Sequence, residues 1–521
     1  MSFRLSVNEI DLSGFVQPQI DETGAMVVIS SQGPGSKPIY CQSEPDVILN
    51  FGIPSVDNPS VFEAIAFARK APIWVISAVS NNALYGGVMV RQTTMASFPA
   101  MSGIVDPDNY DFRTYSSGTA DNTISHVLFN ASAYNSTNQV KVASVSSTSG
   151  TQFIASIYNV SNGTARIITS YTYSLTREQD NFGKSLYFAD VFKDNPYLIC
   201  KYNTNTTVVA GTYSLLGTVA YTLTGGYRGS TPQSNTVTTA WQVFISSNKY
   251  PIKIFMDALG GHAGDIDTLI TTYQPYAIGI SVIPLDKSVA DAVTYRNGLS
   301  LDTDVVSLYY NWSEIKDPYN NSYVWISNVG SIGGKYAQMV DVYDSYSPAG
   351  IDENHHGGQL SDWTPIDVEY DFTDANLQTL DEAQINPCIL DEIYGLMIYG
   401  DKTLQVSLSD TSYVGTRRIY NFIIKNIIRQ VLRKQEFKNN DESHRYKAKA
   451  MTDNFLSPIL AGEYLRSALV ICDSSNNTNE VLELRRFILD VLVQATPNSQ
   501  KCILRLTRLS QTAIIADFLP A

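Results

Sequence analysis

Apolar positions along this 521-residue chain change their period several times, and the changes divide it into six stretches. In residues 1–20, Phe3, Leu5 and Val7 alternate with Arg4, Ser6 and Asn8, which predicts a strand with one apolar face. A lone strand is unstable in water, so this arm has to pair with something. Residues 25–29 then read as a buried strand, 44–52 as a short helix closed by Gly52, 61–70 as a helix and 73–79 as a strand. From 106 to 240 helical periodicity disappears, and short alternating runs at 139–145, 165–171 and 216–223 predict a β-rich sandwich or barrel inserted into an α/β domain.

The α/β pattern resumes at Trp241, with strands expected at 251–256, 277–283 and 305–310 and helices at 263–273 and 288–299. Residues 345–374 read as a long loop. Beyond 376 come strand-like runs at 395–400 and 404–408, then a long helix over 414–438. Its Ile419, Phe422, Ile423, Ile427, Val431 and Leu432 recur at helical spacing. A second helix over 451–463, strands at 469–473 and 482–494, and an alternating tail at 501–509 complete the reading, with Leu504 and Leu506 on one face of that tail. The expected fold class is α+β multidomain. A discontinuous α/β core (21–105 and 241–375) is built from both ends of the chain, with an outer insertion (106–240), a C-terminal domain (376–498) and two terminal arms (1–20 and 499–521).

Composition changes this picture little, and charge changes it more. Only 17% of residues are charged, against the usual quarter or so, and the net charge is −14. A general nucleic-acid binder needs a basic face, so direct binding to nucleic acid is not expected. No apolar run approaches the ~18 residues of a spanning helix, so membrane insertion is not expected either. Five scattered cysteines without a C-x-x-C pair suit buried thiols in a reducing cytoplasm. The acidity is uneven: residues 415–450 hold ten Lys or Arg against three acids, net +7, which leaves −21 elsewhere. On the 414–438 helix, Arg418, Lys425, Arg429 and Arg433 share a basic side suited to an acidic partner.

Catalytic chemistry has no anchor. H-E-x-x-H and G-x-S-x-G are both missing. The run Ser327 to Lys335 lacks the first glycine of a phosphate loop and ends in Tyr336 where Ser or Thr would bind metal. His355 and His356 follow Asp352 and Glu353, but adjacent strand residues point to opposite faces. Asp106 to Asp111 lacks the glycine and closing Glu of a calcium loop. No catalytic residue, metal site or cofactor is expected, and an enzyme is not the reading.

Three C-terminal motifs carry a resemblance. They are Tyr399-Gly400-Asp401-Lys402-Thr403-Leu404, then Tyr413-Val414-Gly415-Thr416-Arg417-Arg418, then Cys472-Asp473 leading to Asn477-Thr478. With Gly33-Pro34, Asn50-Phe51-Gly52 and Ser347-Pro348-Ala349-Gly350, they resemble the tail sheath proteins of contractile bacteriophages and related injection systems. Tyr399 and Lys402 stand where that family usually has Trp and Arg. The resemblance implies a structural subunit of stacked rings, polymerised around an inner tail tube in a metastable extended state. Contraction would then drive the tube through a cell envelope. It also implies baseplate and tail terminator proteins as further partners, a place in the virion tail after synthesis in the host cytoplasm, and arms that pair with neighbouring subunits. Phe3, Leu5, Val7, Leu504 and Leu506 are the expected seated positions, and the basic helix is expected to face the tube. The alternative is a phage surface or fibre protein that binds host glycans through the Ser/Thr/Asn-rich insertion.

Overall fold

The computed structural model describes residues 23–97, 124–203, 220–223, 229–338, 347–350 and 358–497, apart from short gaps at 32, 34, 36, 81–82, 84, 92–94, 132–137, 147–150, 162–163, 194 and 196. Its centre is an eight-stranded sheet. In spatial order the strands are Gly395–Ile398, Ile385–Asp391, Val306–Tyr310, Ile278–Val282, Ile254–Asp257, Gly24–Val28, Ile73–Ser77 and Ile39–Cys41. The middle six run parallel, and the strand at each edge is antiparallel to its neighbour.

Parallel strands covered on both faces need apolar residues at nearly every position. The chain supplies them. Met26, Val28, Val75, Met256, Ile280 and Val282 face the helices Glu44–Phe51, Ser60–Ala68 and Val329–Gln338. Ala25, Val27, Ile76, Phe255, Val306 and Leu308 face Ser234–Gln242, Ala263–Thr268 and Val289–Gly298. The rejected phosphate-loop run Ser327 to Lys335 is mostly helix, and its glycines serve packing. A Cβ on Gly330 would lie 1.9 Å from the Glu63 carbonyl oxygen, and one on Gly333 would lie 2.3 Å from Met256 Sδ. The buried Glu63 carboxylate caps this helix, accepting from the amides of Asn328 and Gly330 at 2.7 Å each.

The β-rich region is a sandwich of two four-stranded sheets. Strands between Gly87 and Tyr202 form one, and strands between Asn138 and Thr222 form the other. Val88, Leu128 and Leu198 of the first pack on Val142, Phe153, Ile157 and Tyr173 of the second. His126 crosses the interface, with Nε2 2.7 Å from the Tyr173 hydroxyl and Nδ1 2.8 Å from Ser125 Oγ. Burial pushes its pKa down to about 3, so it is a neutral packing residue.

The third region packs the helix Val414–Ile427, its wider continuation Ile428–Leu432 and the helix Glu442–Ala461 on a two-stranded hairpin, Leu465–Ile471 with Asp490–Ala495. Three elements depart from the sequence expectation. Residues 404–408, expected as a strand, form bends and join no strand. The second helix begins nine residues earlier than 451, because Asp441 accepts from the His444 amide and starts it. The strand expected over 482–494 is a helix at Asn479–Glu483, a left-handed turn at Arg485 (φ 54°) and a strand only from Asp490.

Candidate assembly site: a braced helix and an open hairpin

The helix Val414–Ile427 starts inside a brace of polar contacts made by the first two motifs. Gly400 lies so close to Asn386 that a Cβ would come within 2.7 Å of its Cα. That approach lets the Asn386 amide clamp the Lys402 backbone, donating to its carbonyl and accepting from its N–H, both at 2.7 Å. Asp401 then caps the helix: its carbonyl accepts from Val414 N at 3.0 Å and its carboxylate from Gly415 N at 3.2 Å. Arg417 pairs with Asp304 at 3.0 Å, and Lys402 with Asp381 at 2.7 Å.

Arg418 does not join the other basic residues. Its guanidinium lies 4.8 Å over the Tyr336 ring and donates to the Tyr336 carbonyl. The Tyr336 hydroxyl is 2.6 Å from that of Tyr309, a residue of the central sheet. Burial pulls Arg418 below its ordinary value, against the opposing pull of Tyr336 and Asp401. The expectation that Arg418 shares an outward basic side is therefore corrected: the first turns of the helix run beside the α/β body, and Arg418 is half-buried against Tyr336. Further along, Lys425 is half-exposed, and Arg429 and Arg433 are exposed.

The opposite face of the helix supplies Ile419, Ile423, Ile427 and Val431 to a core with Phe455, Leu456, Ile459, Tyr464 and Val470. On the hairpin, Val470 and Ala495 face that core, while the cross-strand pair Leu469 and Leu492 points outward, 55% and 54% exposed. Among the described residues neither strand has a second neighbour, so both edges of the hairpin are open. The third motif pins its long loop. Asn477 donates to the Ile488 carbonyl at 2.8 Å and accepts from its N–H at 2.9 Å, and Asn476 donates to the Asp490 carboxylate at 2.9 Å. A cavity of about 210 Å³, lined by Asp410, Tyr413, Thr416, Arg466, Gln494 and Pro497, opens beside the end of the second strand.

The expected arm residues Phe3, Leu5, Val7, Leu504 and Leu506 lie outside the described residues, as do Asp106 to Asp111 and the His355–His356 pair. Among the described residues no group of three or more His, Cys, Asp or Glu could hold a metal ion, and no helix is long and apolar enough to cross a membrane. Asn386 ends the run Leu380 to Asn386, which belongs to the same resemblance, but sequence reasoning missed the other partners of the brace, Asp304, Asp381 and Tyr336. Nothing in their local pattern links them to residues 400–418.

No family model matches the chain. It is similar to tail sheath proteins of several phages. With that of Vibrio phage KVP40 it is 27% identical over 255 residues, 48% of this chain and 36% of the relative. With that of Enterobacteria phage T4 it is 23% identical over 282 residues, 49% of this chain and 41% of the relative. The chain thus matches well under half the length of these curated relatives. The fold is similar to that of the sheath tail protein from Listeria innocua, at a TM-score of 0.52 and 10% identity, covering 93% of this chain and 97% of that one. The resemblance seen in the three motifs therefore stands, and the mixed α/β fold is one that a sheath protein adopts.

Proposed function

We propose that the chain is a structural subunit of a contractile tail sheath, polymerising as stacked rings around an inner tube and contracting to drive that tube through a cell envelope. The similarity to several phage tail sheath proteins carries this reading. The open hairpin supplies a physical means of assembly. Two strands alone are marginal in water, and strand addition from another chain gives main-chain hydrogen bonds plus seats for alternate side chains. The arms at 1–20 and 499–521, with Phe3, Leu5, Val7, Leu504 and Leu506 seated, are the proposed added strands. Lys425, Arg429 and Arg433 face the tube, while Arg418 ties their helix to the body. Baseplate and terminator proteins bound the stack, and the subunit resides in the virion tail after synthesis in the host cytoplasm.

No nucleotide is needed to power such a device. Burying an extra ~1,000 Å² of apolar surface per subunit on contraction would release about 25 kcal/mol gross, an upper figure. Ordering and desolvation reduce what is left for work. Electron microscopy of the purified full-length chain is the test. Hollow, striated tubes are expected. Reversing Lys425, Arg429 and Arg433 to Glu should leave tubes of the sheath alone but prevent extended sheaths forming on an inner tube. Discrete trimers in place of tubes would refute the reading.

A further inference from the structure

The central sheet reverses its strand order between Gly24–Val28 and Ile254–Asp257. From the first the chain steps to Ile73–Ser77 on one side, and from the second to Ile278–Val282 on the other. In doubly wound sheets, ligands bind in the crevice at the carboxyl ends of strands flanking such a reversal. Here the protein's own carboxylate takes the loop amides. Asp257 Oδ1 accepts from the N–H groups of Leu259 and Gly260 at 3.2 and 3.0 Å. Its Oδ2 accepts from His262 N and Ser281 Oγ, both at 2.9 Å. Gly260 and Gly261, at φ 73° and 95°, let the loop curl around it.

The His262 side chain is buried beside this carboxylate, and its Nδ1 is 2.8 Å from Asp265 Oδ2. That same oxygen accepts from Thr238 Oγ1 at 2.8 Å. Thr238 lies on Ser234–Gln242, the helix by which the chain returns from the β-rich sandwich to the sheet. The imidazole thus bonds to the same carboxylate that receives Thr238 of the returning helix, within reach of the charge of Asp257 at the end of a core strand. We propose that His262 is a pH-sensitive clasp, which holds the returning helix firmly to the α/β body as an imidazolium and loosely as a neutral ring.

The groups around the ring are consistent with this. Asp257 faces it from the strand, its carboxyl pushed up by burial against the pull of its donors and of His262. Asp265 faces it from its own helix, held against burial below the usual range by its bonds to His262 and Thr238. Ser281 approaches Asp257 from the neighbouring strand, and Thr238 adds a hydroxyl from a helix without titratable residues. Tyr295, on Val289–Gly298, stays a neutral phenol, pushed up to about 12 by burial and by Asp257. Burial alone would lower His262, but the hydrogen bond to Asp265 and the charges of Asp257 and Asp265 outweigh it and raise it. A histidine so raised stabilises the fold fully below the unfolded value of about 6.5, and that contribution disappears as pH climbs through the folded value. The clasp would act in the subunit whatever it assembles into, so its test is independent of the sheath reading.

The test follows thermal unfolding of the full chain, together with amide exchange in residues 234–242, from pH 5.5 to 9. The wild type is expected to lose about 2–4 °C in Tm across that range, with exchange in 234–242 rising beyond its intrinsic pH dependence. His262→Gln should remove the histidine's share of the fall in Tm, leaving the slope due to Glu63, and should flatten the exchange response in 234–242. Asp265→Asn keeps a partner for Thr238 and removes one charge, and should move the fall to lower pH. Glu63 titrates in the same window, but it is present in every variant and its slope is common to all. An unchanged Tm profile in His262→Gln, or exchange in 234–242 that follows intrinsic rates alone, would overturn the clasp. If His262→Gln fails to fold, an unshifted profile in Asp265→Asn would do the same.

Discussion

The α/β body buries its sheet on both faces and ends it at each edge with a short antiparallel strand. One of those edges is covered again, by hydrogen bonds from residues 358–360 to Leu396 and Ile398. Among the described residues, the C-terminal region instead leaves a two-stranded hairpin with two open edges and an outward pair of leucines. Open edges are a liability in a free monomer and are normally blunted by charge, proline or a cover. On the proposed sheath reading, the body folds for itself and the C-terminal unit takes strands from other subunits. The brace around Arg418 joins the two.

The largest expected effect breaks the comparison on the open side. Removing residues 1–20 should abolish tube formation while leaving a folded monomer with unchanged circular dichroism, and unimpaired tubes from the truncated chain would refute the arm assignment. Next comes the closed side. Gly330→Ala sets a Cβ 1.9 Å from the Glu63 backbone and should cost about 3 kcal/mol or more in denaturant unfolding, the upper end for overpacking. At the joint, Arg418→Met leaves a buried carbonyl and the Asp401 side without their cation. It should cost about 1–3 kcal/mol, while Arg433→Met on the exposed turn should stay within about 0.5. Equal costs for the two arginines would contradict the separation of Arg418 from the outward basic residues.

The smallest effect is a slope. Burial pushes the Glu63 carboxyl up to about 7, against the amides of Gly330 and Asn328 that favour its charge. A carboxyl raised above its unfolded value makes the fold most stable below pH ~4.5, with stability declining as pH rises towards 7 and levelling above. Glu63→Gln should remove that decline from a pH series of unfolding midpoints, and a series parallel to the wild type would contradict the assignment.

The body was the more legible half. Strands at 25–29, 73–79, 277–283 and 305–310 stood out because double-sided burial writes itself as an unbroken apolar run. The Val329–Gln338 helix did not stand out, since three glycines argue against a helix until a second helix is seen to need their missing side chains. Arg418 shows the limit of a helical wheel. At 3.6 residues per turn it lies within about 60° of Lys425, Arg429 and Arg433, which is why the wheel groups the four. What that side meets changes along the helix, and only the fold reveals the change. The hairpin was half legible: Asn477 sat in a recognised motif, but its grip on Ile488 spans a loop whose Leu482 and Leu484 imitate a strand.

The most direct test of the division is amide exchange measured on the same full-length chain as monomer and as assembled tube. The outer-edge amides of Leu465–Ile471 and Asp490–Ala495 should exchange quickly in the monomer and slow at least tenfold on assembly. Those of Gly24–Val28 and Ile278–Val282 should be protected equally in both. Hairpin amides that exchange at the same rate in monomer and tube would contradict the claim that other subunits complete this sheet.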